Sequence, residues 1–122
     1  MSEDHLTELV RKNKISELMV YLGADINKRN SRGDTALLIA VRLNNLALVN
    51  QLINLGADFQ KENQRGTTPL TLAIFNGYTE IARDLILSGA KIMTEADKAG
   101  DSAHLVHTAT YKANLNKIKK KI

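Results

Sequence analysis

Few residues in this sequence are of the types that do chemistry, and their spacing limits how far each can be taken. His104 and His107 lie three apart, so on a helix they share a face and could present two imidazoles to one metal ion, with Asp101 as the nearest carboxylate. No third ligand accompanies them, and protein zinc sites draw on three or four side chains. A helix-terminal or packing role is therefore expected, and no metal site. The chain has no Cys, which removes disulfides, thiolate nucleophiles and Cys-based clusters. Ser and Thr are plentiful, but none lies in a nucleophile elbow, and there is no phosphate loop, paired-carboxylate motif or dinucleotide fingerprint. No enzymatic activity and no cofactor are expected.

Charge is the second chemical feature. Lys112, Lys117, Lys119, Lys120 and Lys121 exceed by themselves the net charge of +4, so the chain before them is close to neutral. Such a cluster can contact nucleic-acid phosphates or an anionic membrane. Only Tyr111 accompanies the lysines as a stacking residue, and Leu115, Ile118 and Ile122 fall at helical spacing. The tail therefore reads first as a solvated cap docked by its apolar stripe, and nucleic acid is the less favoured partner.

The elements that position these residues follow from length and repetition. A chain of 122 residues is the size of one domain, and 43% apolar with 25% charged residues is ordinary for a soluble globular protein. Aromatics are 4%, so aliphatic side chains must build the core. The acidic start lacks the basic and apolar regions of a secretory signal, and no stretch approaches the roughly 20 apolar residues of a membrane span. A cytoplasmic protein is expected.

Shifted by 33 residues, the sequence matches itself. Residues 30–62 and 63–95 share Asn30/Asn63, Arg32/Arg65, Gly33/Gly66, Thr35/Thr68, Leu37/Leu70, Ala40/Ala73, Leu52/Leu85, Ile53/Ile86, Gly56/Gly89 and Ala57/Ala90, and Gly23-Ala24-Asp25 falls on Gly56-Ala57-Asp58. Within a unit, Thr68 is suited to cap a helix and Pro69 to its first position, with Thr35 repeating the cap. The pattern predicts a short helix ending near Gly77 and a second from about Thr79 to Ser88, stopped by Gly89. Leu48, Val49, Leu52 and Ile53, like Ile81, Ala82, Leu85 and Ile86, form an apolar stripe that one helix pair cannot bury alone. The units must stack.

Gly66-Thr67-Thr68-Pro69-Leu70-Thr71-Leu72-Ala73 with Gly89-Ala90, at this period, resembles the ankyrin repeat. Gly33-Asp34-Thr35-Ala36-Leu37-Leu38-Ile39-Ala40 is a weaker copy, and Gly100-Asp101-Ser102-Ala103-His104-Leu105 starts a degenerate one. The resemblance implies an all-α solenoid of about three and a half to four repeats in one domain. Residues 1–29 form an N-terminal capping repeat, 30–62 and 63–95 full repeats, and 96–122 a degenerate C-terminal cap.

The same resemblance implies a concave binding face made of hairpin tips and first helices. By register it includes Arg29, Ser31, Arg32, Asp34, Arg42 and Leu43, then Glu62, Gln64, Arg65, Thr67, Phe75 and Asn76, and finally Lys98 and Asp101. Phe75 is either an exposed anchor or packed on its neighbour, whereas packing is favoured for Leu43. Arg32 and Arg65 on successive tips suit an acidic partner. The functional expectation is a monomeric, non-enzymatic module that binds a protein. The alternatives are a nucleic-acid or anionic-membrane adaptor working through the lysine-rich helix, and a dedicated inhibitor or immunity-type partner of one enzyme.

Overall fold

The computed structural model describes residues 3–93 and 104–122. Among the described residues, seven longer helices follow one another: α1 (His5–Arg11), α2 (Ile15–Leu22), α3 (Ala36–Arg42), α4 (Leu46–Asn54), α5 (Pro69–Phe75), α6 (Thr79–Leu87) and α7 (Ala109–Lys119). Residues 104–106 are also helical, and no strand occurs among the described residues. The fold is an all-α repeat solenoid.

Helix starts are set by side chains that take up first-turn amides. Thr35 accepts from the Leu38 N–H at 3.2 Å and Thr68 from the Thr71 N–H at 3.2 Å, with Pro69 at the first helical position, where no donor is needed. Asp4, Asn45 and Thr108 do the same for α1, α4 and α7. Each cap contributes about 1 kcal/mol.

The turn inside each helix pair needs one residue at positive φ, which Gly77 supplies without steric cost at φ 74. Asn13 and Asn44 take the same place in the earlier pairs, both at φ 56, a conformation Asn tolerates better than most residues. These residues expose a change of register. Cap to cap, Asp4 to Thr35 spans 31 residues, whereas Thr35 to Thr68 spans 33. The first pair is shorter by two because α2 has 8 residues where α4 and α6 have 9, and because Gly23 itself caps α2, whereas Leu55 and Ser88 stand between the later helices and Gly56 and Gly89.

Stacking places α3 between α1 and α5, α4 against α6, and α7 across both α5 and α6. Covered from several sides, α3 is apolar all round, and Ala36 to Val41 are each at most 1% exposed. Burial of each large aliphatic side chain there stabilises the stack by about 2 kcal/mol. In α7, Tyr111 and Ile118 are buried and Leu115 is partly so, while Ile122 lies beyond the helix and is 56% exposed. The expected three-residue docking stripe thus loses its last member.

Polar side chains close helix ends across units. Asn114 Nδ2 donates to the carbonyls of Ile74 at 2.9 Å and Phe75 at 3.2 Å, and the Tyr78 hydroxyl reaches the Arg42 carbonyl at 3.4 Å. Last-turn carbonyls lack the i+4 amide of a continuing helix, and that of Ile74 also accepts from the Gly77 N–H at 3.1 Å. Tyr111 adds a bond from its hydroxyl to the Met93 carbonyl at 2.9 Å.

Hairpin tips join the pairs. Asn30 N–H donates to the Asp34 carbonyl and Asn63 N–H to the Thr67 carbonyl, and the Gln64 N–H donates to the Arg32 carbonyl at 3.2 Å, linking one tip to the next. Gly33 makes that approach feasible. At φ +78, a Cβ there would lie 2.8 Å from the Gln64 backbone nitrogen. Gly33→Ala is therefore expected to cost about 3 kcal/mol, against about 1–2 kcal/mol for Gly56→Ala, where strain alone acts because nothing lies within 4 Å of the added carbon. Urea unfolding of both variants checks the difference, and equal losses refute the close-approach argument.

Candidate functional site

The tips and the ends of α3 and α5 enclose a concavity of about 500 Å³. Arg32 and Arg65 reach it from successive tips, Arg42 and Phe75 from the last turns of α3 and α5, and Leu72 from the exposed side of α5. Thr7 and Leu105 complete its ends, and Asp34, Asn63 and Thr67 lie in its floor.

That floor is built from two asparagines in equivalent places. Asn30 Oδ1 accepts from the N–H groups of Arg32 at 2.9 Å and Asp34 at 3.0 Å, and Asn63 Oδ1 accepts from Arg65 at 2.9 Å and Thr67 at 3.1 Å. Each side chain thus fixes its own tip by satisfying two loop amides. Each also reaches back one unit, Asn30 Nδ2 to Asp4 Oδ2 at 3.2 Å and Asn63 Nδ2 to Asp34 Oδ1 at 2.9 Å.

Asp34 is 1% exposed and collects more than the asparagine. Arg42 donates through Nη1 to its Oδ2 at 3.2 Å and through Nη2 to its Oδ1 at 3.3 Å, and Arg32 Nε stands 3.7 Å from Oδ2. Two guanidiniums therefore share one buried carboxylate. Arg32 turns its Nη2 to Asp4 at 3.3 Å. Partial burial pushes the Asp4 carboxyl up, but hydrogen bonds from the Thr7 N–H and hydroxyl and from the Asn30 amide outweigh it and hold the carboxyl below its ordinary value.

Structure and register agree on part of the expected face. Arg32, Arg42, Arg65, Phe75 and Asn76 line the concavity, Asn76 with its Nδ2 donating to the Leu72 carbonyl at 3.0 Å. Arg29, Ser31, Glu62 and Gln64 are exposed but stand outside its lining. Asp34 and Thr67 do not present themselves at the surface as the register implied. Asp34 is buried beneath Arg42 and the Asn63 amide of the next tip, and Thr67 is 7% exposed with its N–H held by Asn63 Oδ1 on its own tip. Leu43, expected to pack, is 43% exposed at the end of α3, whereas Phe75 is partly buried against the core. Lys98 and Asp101 lie outside the described residues.

Asn63, Leu72, Thr7 and Leu105 belong to the site without having been singled out for it. The recurrence of Asn30 at Asn63 was the available signal for the first, and only packing shows the others. His104 is exposed, and His107 follows in a turn, its N–H reaching the His104 carbonyl at 3.3 Å. Among the described residues, no three His, Cys, Asp or Glu groups cluster to hold a metal, and no helix is long and apolar enough to cross a membrane. The five tail lysines are exposed on and just beyond α7.

The family model for ankyrin repeats, in three copies, matches residues 6–96. No curated protein matches the chain.

The Asp4 contacts carry a pH signature. Because the folded carboxyl titrates below its unfolded value of about 3.9, its stabilisation is complete above that pH and is lost as pH falls through the folded pKa. Asp4→Asn keeps a capping oxygen but removes the charge facing Arg32. The melting temperature of wild type is expected to exceed that of Asp4→Asn by a constant margin between pH 5 and 7, with the margin closing below about pH 4. A margin unchanged down to pH 2 contradicts the assignment.

Proposed function

The chain belongs to the ankyrin-repeat family, and from that premise we propose that it is a protein-interaction module whose concave face binds a protein partner. Ankyrin repeats are generally protein-interaction modules and are typically non-enzymatic. The observation that carries the reading to one surface is the concavity itself, where three arginines surround the partly buried Leu72 and Phe75. Aromatic and arginine side chains at the centre of a sheltered patch are the composition of interface anchors.

The hydrogen-bonded floor supports a rigid-body mechanism. Tips held by Asn30 and Asn63, and guanidiniums held by Asp34, have little ordering entropy left to lose on binding. The lysine-rich helix is the weaker candidate surface. Its apolar residues Tyr111 and Ile118 are committed to the stack, which leaves the lysines to solvate the open end.

Affinity copurification from the native source tests the reading with three proteins: wild type, Phe75→Ala/Arg65→Ala, and Lys117→Gln/Lys119→Gln/Lys120→Gln/Lys121→Gln, each shown to be folded by circular dichroism. A stoichiometric protein is expected with wild type and the tail variant, and at least about tenfold less of it with the groove variant. Loss with the tail variant alone, or capture of nucleic acid in a steeply salt-dependent manner, overturns the proposal.

A further inference from the structure

Resting on the concave-face reading above, we propose that the concavity is a two-part receptor for a short extended segment of a partner protein. That segment carries a carboxylate side chain within a few residues of a large aliphatic or aromatic one.

Charge selects the first element. Among the described residues, the lining holds three guanidiniums and one carboxylate, and that carboxylate is buried. Asp34 is 1% exposed, and its oxygens are occupied by Arg42 and Asn63. The Arg42 and Arg32 side chains, by contrast, are 40% and 63% exposed. At Arg42 and Arg32 a ligand therefore meets cations, although Asp34 and Asp4 partly neutralise them. A guanidinium has five donors in a planar fork, and Arg42 spends two on Asp34. Its remaining N–H groups are held in a fixed direction, which suits a second carboxylate and repels an ammonium.

Apolar surface selects the second element. Leu72, Phe75 and Leu105 line the same concavity and are only partly buried, whereas Ile39, one repeat before Leu72, is 1% exposed. Each further apolar Å² covered there stabilises a complex by about 25 cal/mol. At about 500 Å³ the space holds a few side chains of an extended segment, which a flat folded surface would leave unfilled.

The test uses capped heptapeptides of alanine that carry one Glu and one Leu separated by zero to three residues, with matched peptides in which Gln replaces Glu or Ala replaces Leu. Each is titrated into the full chain, labelled with ¹⁵N, and followed by amide shifts. At least one spacing is expected to bind, with the Gln and Ala versions each weaker by about fivefold or more.

Asp34→Asn/Arg42→Gln, which removes both charges and so leaves no buried carboxylate unpaired, is expected to reduce the preference for Glu over Gln and keep that for Leu over Ala. Phe75→Ala is expected to do the reverse. Equal binding of Glu and Gln peptides, no binding at any spacing, or preferences that survive both variants undiminished overturn the two-part receptor. The concave-face reading fails separately, when the copurified partner persists with Phe75→Ala/Arg65→Ala. A partner lost with that variant beside peptides that do not discriminate leaves the reading standing and removes this inference alone.

Discussion

A carboxylate at 1% exposure inside a stack of aliphatic helices is the constraint on which the rest of this molecule turns. Removing an ion such as Asp34 from water costs several kcal/mol, and the cost is offset only where every oxygen finds a well-placed donor. Here the donors come from two places, Arg42 on the helix that Asp34 precedes and Asn63 on the next hairpin tip, and Arg32 on its own tip adds an ion pair at 3.7 Å. Satisfying the carboxylate therefore fixes the distance between consecutive units and the direction of two guanidiniums in one step. Fold and site are not separable at this point. The side chain that reads from sequence as a surface contact is the one that holds the surface contacts in place.

What the sequence discloses is whatever is decided within a few residues of itself. Thr35 and Thr68 cap helices because the hydroxyl lies three residues from the amide it takes up, and Pro69 follows for the same local reason. The 33-residue period is legible because stacked units repeat the same local solutions. What it conceals is decided by a neighbour. The 31-residue spacing from the first cap to the second is masked because Gly23 still falls 33 residues before Gly56, the shortening being confined to α2 and its cap. Asn13 and Asn44 carry a left-handed turn that Gly77 announces openly, since Asn is also common in ordinary loops. Leu43 is exposed where packing was favoured, and Phe75, open between the two readings, is partly buried, because no local feature says which last-turn side chain has a neighbour laid against it.

The comparison of equivalent positions shows how a repetitive scaffold acquires a particular site. Asn30 and Asn63 are unchanged one unit on, as are Arg32 and Arg65, and they hold the tips in the same shape. Arg42 becomes Phe75 and Asp34 becomes Thr67. Along the concavity the lining thus passes from a cation braced by a buried carboxylate to an aromatic ring with none beneath it. Because the conserved amides keep the backbone the same in both units, that exchange changes the chemistry of the face without changing its shape. The repeat supplies the rigidity. Its departures from symmetry supply the selectivity, which is why Arg42 and Phe75, the pair that break the period, identify the surface better than the residues that keep it.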